Sequence, residues 1–148
     1  MMKAKEYLLQ IRNLDSLINS MIAEVDHWKE VATSTSAWSD GERVQSSGSK
    51  QKMTSAIDKY VDMQAAIDKE IDKLVDKRDE ITATLRQAVL EQKLTRFEFE
   101  VLHKYYVQEL TFYDIAACFD KSYSWATTVH GRALVNLQHV LDERKQHE

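Results

Sequence analysis

The stretch TFYDIAACFDKSYSWATTVHGRAL, residues 111–134, decides the fold. Thr111 with Asp114 three positions on marks a helix start, since hydroxyl and carboxylate at that spacing can each satisfy a backbone N–H that the first turn leaves unpaired. A short helix carrying Ile115, Ala116 and Phe119 should follow. After a turn of about three residues, Ser122 is placed to cap another helix. That helix repeats apolar side chains at Ala126, Val129, Ala133, Leu137 and Val140, a helical spacing that defines one inward face. Upstream, TRFE at 95–98 carries the same start signature, with Thr95 as cap and Glu98 at the third position, and opens a helix holding Phe97, Val101, Leu102, Tyr105 and Tyr106 to about Leu110. Three helices, the second short, with alanines where helices cross, describe a helix-turn-helix.

Projection at 100° per residue puts Ser124, Thr128, Gly131 and Val135 opposite the inward face, with Thr127 and Arg132 at its flanks. Hydroxyls there can bond bases or phosphates, and threonine methyls can touch a thymine methyl. Gly131 costs roughly 1 kcal/mol against alanine in an exposed helix. It signals either close approach by another backbone or a tolerated loss. No acidic residue occurs from Lys121 to Leu141, which makes this helix locally positive through Lys121, Arg132 and the histidines His130 and His139. Arg96, Lys104, Lys121 and Arg132 would neutralise about four phosphates, a weak anchor at about 0.9 per phosphate in the salt slope. Pairing two such units raises avidity by about 10² to 10⁴.

The chain before Thr95 reads differently. Tyr7, Ile11, Leu14, Ile18, Met21, Val25, Trp28 and Ala32 alternate steps of four and three, a heptad seam widened by Leu8, Leu17 and Ile22. A second seam runs Met53, Ile57, Tyr60, Gln64, Ile67, Ile71, Leu74, Arg78, Ile81 and Leu85. Between them, residues 34–49 are rich in serine, hold two glycines and read as a loop. It exceeds the roughly 2 to 8 residues of an ordinary helix connection, so its Trp38 and Val44 either cap the end of the bundle or meet a partner. Folded as an antiparallel hairpin, the seams bring Ala32 to the region of Gln51 and Ala4 to that of Asp79. Ile81, Leu85 and Val89 then need cover from the C-terminal helices or from a second subunit. The outer face of the second helix, with Asp68, Asp72, Asp76 and Glu80 beside Lys69, Lys73 and Lys77, reads as solvated.

Composition narrows the function classes. With no proline and three glycines in 148 residues, long helices are favoured. A net charge of −4 means that any nucleic-acid contact is local. Cys118 alone excludes an internal disulfide and a cysteine-based zinc site, and it reads as a small buried hydrophobe. No apolar run reaches the ~20 residues of a membrane span, so a cytoplasmic protein is expected. No histidine pair with a carboxylate has metal-ligand spacing, and no phosphate loop or nucleophile motif occurs, so neither an enzyme nor a cofactor is expected.

The stretch 110–137, LTFYDIAACFDKSYSWATTVHGRALVNL, resembles region 4 of bacterial sigma factors, which recognises the −35 promoter element and contacts RNA polymerase. The whole chain is more closely similar to an uncharacterised family of phage and prophage proteins of Gram-positive bacteria related to late-operon transcription regulators. That resemblance rests on MKAKEYLLQIRNLD at 2–15, GERVQSSGSKQKM at 41–53 and HGRAL at 130–134. It implies major-groove contact through Tyr123, Ser124, Trp125, Thr127 and Thr128, with Arg132 at the place of a mid-helix arginine and Lys121 beside them. The chain departs from the sigma pattern in having few charged residues there, and the turn glycine is replaced by Asp120.

The expected architecture is therefore all-α. Residues 1–92 form a coiled-coil-like antiparallel hairpin, with helices about 3–33 and 50–92 and the loop 34–49. Residues 93–148 form a three-helix helix-turn-helix domain of sigma region 4 type. The expected function is a phage transcription regulator that binds double-stranded DNA and activates a late operon in the bacterial cytoplasm, with the hairpin as homodimer interface or RNA polymerase contact. Two alternatives stay open. One is an interaction module for RNA polymerase or a repressor, anchored by Tyr123 and Trp125 without base readout. The other is a packaging protein like a phage small terminase.

Overall fold

A computed structural model describes the backbone of residues 2–41 and 47–148 and the side chains of 2–33 and 55–148. The fold is all-α: among the described residues there are helices and no strand. Helix α1 spans Ala4–Gly41, α2 Ser47–Leu90, α3 Arg96–Leu102, α4 Phe112–Cys118 and α5 Tyr123–Gln146, and a π-helical turn, His103–Val107, continues α3. Both long helices run further into 34–49 than expected, because serine and threonine lower helix propensity without breaking a helix as proline would. What remains of that loop, 42–46, and the side chains of Trp38 and Val44 lie outside the described residues.

The starts of the short helices follow the local chemistry. Thr111 Oγ1 accepts from the Asp114 N–H at 3.2 Å, and Asp114 Oδ2 accepts from the Thr111 N–H at 3.3 Å, a complete capping box. Ser122 Oγ accepts from the Trp125 N–H at 3.1 Å and starts α5. Three C-termini are closed by a left-handed residue that is not glycine: Gln92 after α2, Glu109 after the π-helical turn and Asp120 after α4, at φ of 60°, 58° and 54°. The N–H of the residue after each of these three folds back into the helix, as Lys121 does to the Ala116 carbonyl at 2.8 Å. Asp120 thus takes the backbone shape that a turn glycine would take freely.

The chain divides into two compact units, Ser16–Val75 and the remainder, which joins Met1–Asp15 to Asp76–Glu148. The division cuts across both long helices instead of falling at residue 92. In the larger unit the inward face of α5 is the expected one: Ala126, Val129, Ala133, Leu137 and Val140 are all buried. Val101, Ile115, Ala116, Ala126 and Val129 form a core cluster, with Tyr105, Leu110, Phe112, Phe119 and Trp125 packed against it. The second half of α5 lies beside the roots of α1 and α2. Gln138 Oε1 accepts from the Ala4 N–H at 2.7 Å, Arg144 Nη1 donates to Thr84 Oγ1 at 2.9 Å, and Lys93 Nζ pairs with Glu143 at 2.5 Å. Leu8, Ile11, Ile81 and Leu85 are buried in this unit and Val89 is half-buried.

Arg12 also ties α1 to the π-helical turn. Its Nη2 donates to the Tyr105 carbonyl, and its guanidinium lies 4.5 Å from the centre of the Tyr105 ring. Tyr7 Oη donates to Thr84 Oγ1 at 3.0 Å and Arg78 Nε to Asp15 Oδ1 at 2.7 Å, so here α1 and α2 run in opposite directions. This pairing lies further along α2 than the expected match of Ala4 with the region of Asp79. Arg78, a charge on an apolar seam, is accounted for by its bond to Asp15.

In the smaller unit the seam of α2 drifts from the strict heptad: Met63 is half-buried, while Gln64 and Ile57 are exposed. A straight helix falls out of step with a seven-residue repeat by about 20° per heptad, which moves the stripe. Ile18, Met21, Val25 and Trp28 of α1 and Ile67, Ile71 and Leu74 of α2 are half-buried, while Leu17, Ile22, Val61 and Val75 are exposed. Among the described residues, no helix is long and apolar enough to cross a membrane.

Two substitutions on α5 test its orientation. Leu137→Ala should cost about 2–5 kcal/mol in urea denaturation, and Val135→Ala, on the exposed face of the same helix, less than about 0.5 kcal/mol. Equal losses would contradict the buried stripe. At the turn, Asp120→Gly should raise stability by about 0.5–1 kcal/mol and Asp120→Val should lower it, because only glycine reaches positive φ without steric cost.

Candidate nucleic-acid interface

Four residues separate the end of α4 from the start of α5, and the left-handed Asp120 among them turns the chain between the two helices. Of the seven residues singled out in the sequence, Lys121, Tyr123, Ser124, Thr128 and Arg132 are exposed, whereas Trp125 and Thr127 are half-buried. Trp125 is wedged inward: its ring centre lies 5.7 Å from Phe97 and 5.6 Å from Phe119. Thr127 Oγ1 donates to the Ser124 carbonyl at 3.0 Å, which turns the hydroxyl toward the helix backbone. The outward face is bare, with Ser124, Thr128, Gly131 and Val135 all exposed. A Cβ built on Gly131 would meet nothing within 4 Å, so no part of the described chain approaches that glycine.

Aromatic side chains flank the start of α5. Tyr123 lies against Tyr113 of α4, ring centres 4.4 Å apart, and Tyr113 is 71% exposed. Tyr113 was missed in the sequence, although it falls off the α4 stripe of Phe112, Ile115, Ala116 and Phe119 and so had to face outward. Phe97, carried by the helix that opens at Thr95, is 50% exposed while its ring edge touches Phe119 and Trp125. Cys118 is exposed and not buried, because the same α4 stripe leaves it on the outer side.

The positive charge is smaller than the sequence suggested. Arg96 faces Glu100 at 4.0 Å, Lys104 faces the same carboxylate at 3.8 Å, and Arg132 faces Glu98 at 3.9 Å. Of the four expected phosphate contacts, Lys121 alone has no ion pair among the described residues. His130 adds no charge at neutral pH. Its ring sits among Tyr105, Tyr106 and Phe112, and Nε2 shares a 2.8 Å hydrogen bond with the Tyr106 hydroxyl. Burial, with a smaller push from Lys5, lowers its pKa to about 4. Burial also raises the Tyr106 phenol to about 12. Among the described residues, no group of three or more His, Cys, Asp or Glu side chains is placed to hold a metal ion.

No motif in the sequence brings the next two residues together. Asn136 Nδ2 donates to Glu98 Oε2 at 2.8 Å, and Glu98 is buried against α5 although it was read as part of a capping box. Thr95 does accept from the Glu98 N–H at 3.2 Å, so half of that box is made.

No family model matches the chain, and no curated protein or solved structure matches it either.

His130 makes stability depend on pH. A histidine held near pKa 4 in the folded chain stays neutral there, while the unfolded chain takes up a proton near 6.5. Its contribution is therefore constant above pH 6.5 and turns unfavourable as pH falls from 6.5 toward 4. Melting curves of the wild type and His130→Asn should show a shallower loss of Tm across that window in the variant. Parallel curves would refute the assignment.

Proposed function

We propose that the chain is a DNA-binding transcription regulator of phage type, activating a late operon from the bacterial cytoplasm. On this reading α4 and α5 act as a helix-turn-helix of sigma region 4 type, and α5 enters the major groove. The observation that carries the reading is the uncovered outer face of α5. Tyr123, Ser124, Thr128 and Gly131 are exposed, no acidic residue occurs between Lys121 and Leu141, and open space surrounds Gly131. Tyr123, Ser124, Thr128, Lys121 and Arg132 are the contacts to bases and phosphates. Trp125 acts through packing against Phe97 and Phe119, and Thr127 flanks the contact face. No catalysis and no cofactor enter this function.

The long helices serve as an antiparallel hairpin that joins two copies or meets RNA polymerase. Support for a homodimer comes from the smaller unit, where Leu17, Ile22, Ile57, Val61 and Val75 are exposed. Two helices with so little buried apolar surface are marginal by themselves. A second reading, docking on RNA polymerase without base readout, is favoured by the exposed Phe97 and Tyr113.

A gel-retardation experiment on promoter-bearing duplexes separates the two. The wild type should retard DNA, and Thr128→Glu and Arg132→Glu should each weaken binding more than about tenfold, since a carboxylate then faces the phosphates. Undiminished binding by both variants would overturn the reading. Co-purification of polymerase by a protein with no DNA affinity would support the second one.

A further inference from the structure

Glu98 stands third in α3, where the local chemistry would send its carboxylate back to the Thr95 N–H. At Thr111 the equivalent bond is made by Asp114. Glu98 instead turns inward and is 3% exposed. Oε2 accepts from Asn136 Nδ2 at 2.8 Å, and Oε1 faces Arg132 Nε at 3.9 Å. A buried carboxylate needs such partners, because removal from water disfavours its charge. Both partners belong to α5, so α3 supplies the negative charge that α5 lacks between Lys121 and Leu141.

The two contacts differ in kind. Asn136 is bonded at ordinary hydrogen-bond length and fixes the carboxylate. Arg132 is beyond that length, and its side chain is 61% exposed, so its guanidinium is attracted but not clamped. The fixed carboxylate cannot follow if the guanidinium leaves for another anion.

We propose that Glu98 is a positioning residue that holds Arg132 in competition with phosphate, and thereby keeps the affinity of α5 for DNA low. This rests on the DNA-binding reading above. A phosphate arriving at α5 must draw Arg132 away from Glu98, so the exchange of one anion for the other gains less than a free arginine would. The geometry also accounts for the tie to Asn136: without it, the carboxylate would swing outward with the guanidinium and repel the same phosphate.

The test is binding of one duplex, followed by fluorescence anisotropy across a salt series, for the full chain. Glu98→Gln keeps an acceptor for Asn136 and removes the charge. It should bind about 3- to 10-fold more tightly at low salt, with a salt slope steeper by up to about 0.9, the value of one phosphate contact. In an Arg132→Ala background the same substitution should give no gain. Equal or weaker binding by a folded Glu98→Gln protein overturns the proposal, as does a gain that persists without Arg132, which would reflect overall charge alone. A purely structural Glu98 would change Tm and leave the slope unmoved. Should Glu98→Gln fail to fold, the wild type gives the answer: DNA should shift the carbon-13 resonance of the Glu98 carboxyl as Arg132 departs, and an unmoved resonance overturns the idea. Failure of the wild type to bind any duplex at low salt overturns the DNA-binding reading itself, whereas binding without a gain in Glu98→Gln overturns this proposal alone.

Discussion

Helix α5 buries one stripe, Ala126, Val129, Ala133, Leu137 and Val140, over nearly its whole length, and two different sets of neighbours share that stripe. Its first half meets the cluster built from Val101, Ile115 and Ala116, where the absence of large side chains at Ala126 and Ala133 permits close approach. Its second half runs beside the roots of α1 and α2, tied through Gln138 and Arg144. A helix gripped twice has little freedom to rotate, since interiors are packed closely enough that a shifted side chain is felt. The outward face is thus set by the inward one. Ser124, Thr128, Gly131 and Val135 are presented as a consequence of where Ala126 through Val140 must go.

The same grip explains why the chain does not divide at the change of composition near Thr95. The first turns of α1 and the last turns of α2 are held by side chains of α5 and of the π-helical turn, through Ala4, Arg12 and Thr84. Ile81 and Leu85 find their cover inside the chain, which was one of the two options open from the sequence. Beyond Asp15 and before Asp76 each long helix passes into the other unit, where a core of fully buried side chains gives way to half-buried seams.

Periodicity made the stripe of α5 legible position by position, and the caps Thr95, Thr111 and Ser122 were legible because their chemistry is local. What periodicity cannot supply is the identity of the neighbour. Glu98 had a sound local reading as a capping residue, and a tertiary partner, Asn136, drew most of its carboxylate away. His130 counted as a positive group by type, and the aromatic rings around it remove that charge. Trp125 was read as a contact residue from its place in the first turn, yet Phe97 and Phe119 hold it inward. The loop at 34–49 was drawn from serine and glycine content, which is a weak signal against the continuation of a helix already nucleated. The proposed DNA contacts and the proposed dimer draw on exposure and on charge.

Charge economy ties those proposals together. Among the described residues Lys121 carries no ion pair, Arg96, Lys104 and Arg132 each face a carboxylate, and His130 is neutral, so one copy offers phosphate far less than its count of basic residues implies. Were α5 to act alone, its hydroxyls and the Tyr113–Tyr123 pair would have to supply most of the affinity, and such contacts reward only a correctly placed duplex. Non-specific binding would then be weak, since it depends almost entirely on neutralised phosphates. Two linked copies multiply the specific contacts without raising the charge of either, which favours discrimination over raw attraction. Under the proposed function the exposed apolar positions of the smaller unit and the muted charge of α5 belong to one arrangement, in which a hairpin that joined two copies would supply the second α5.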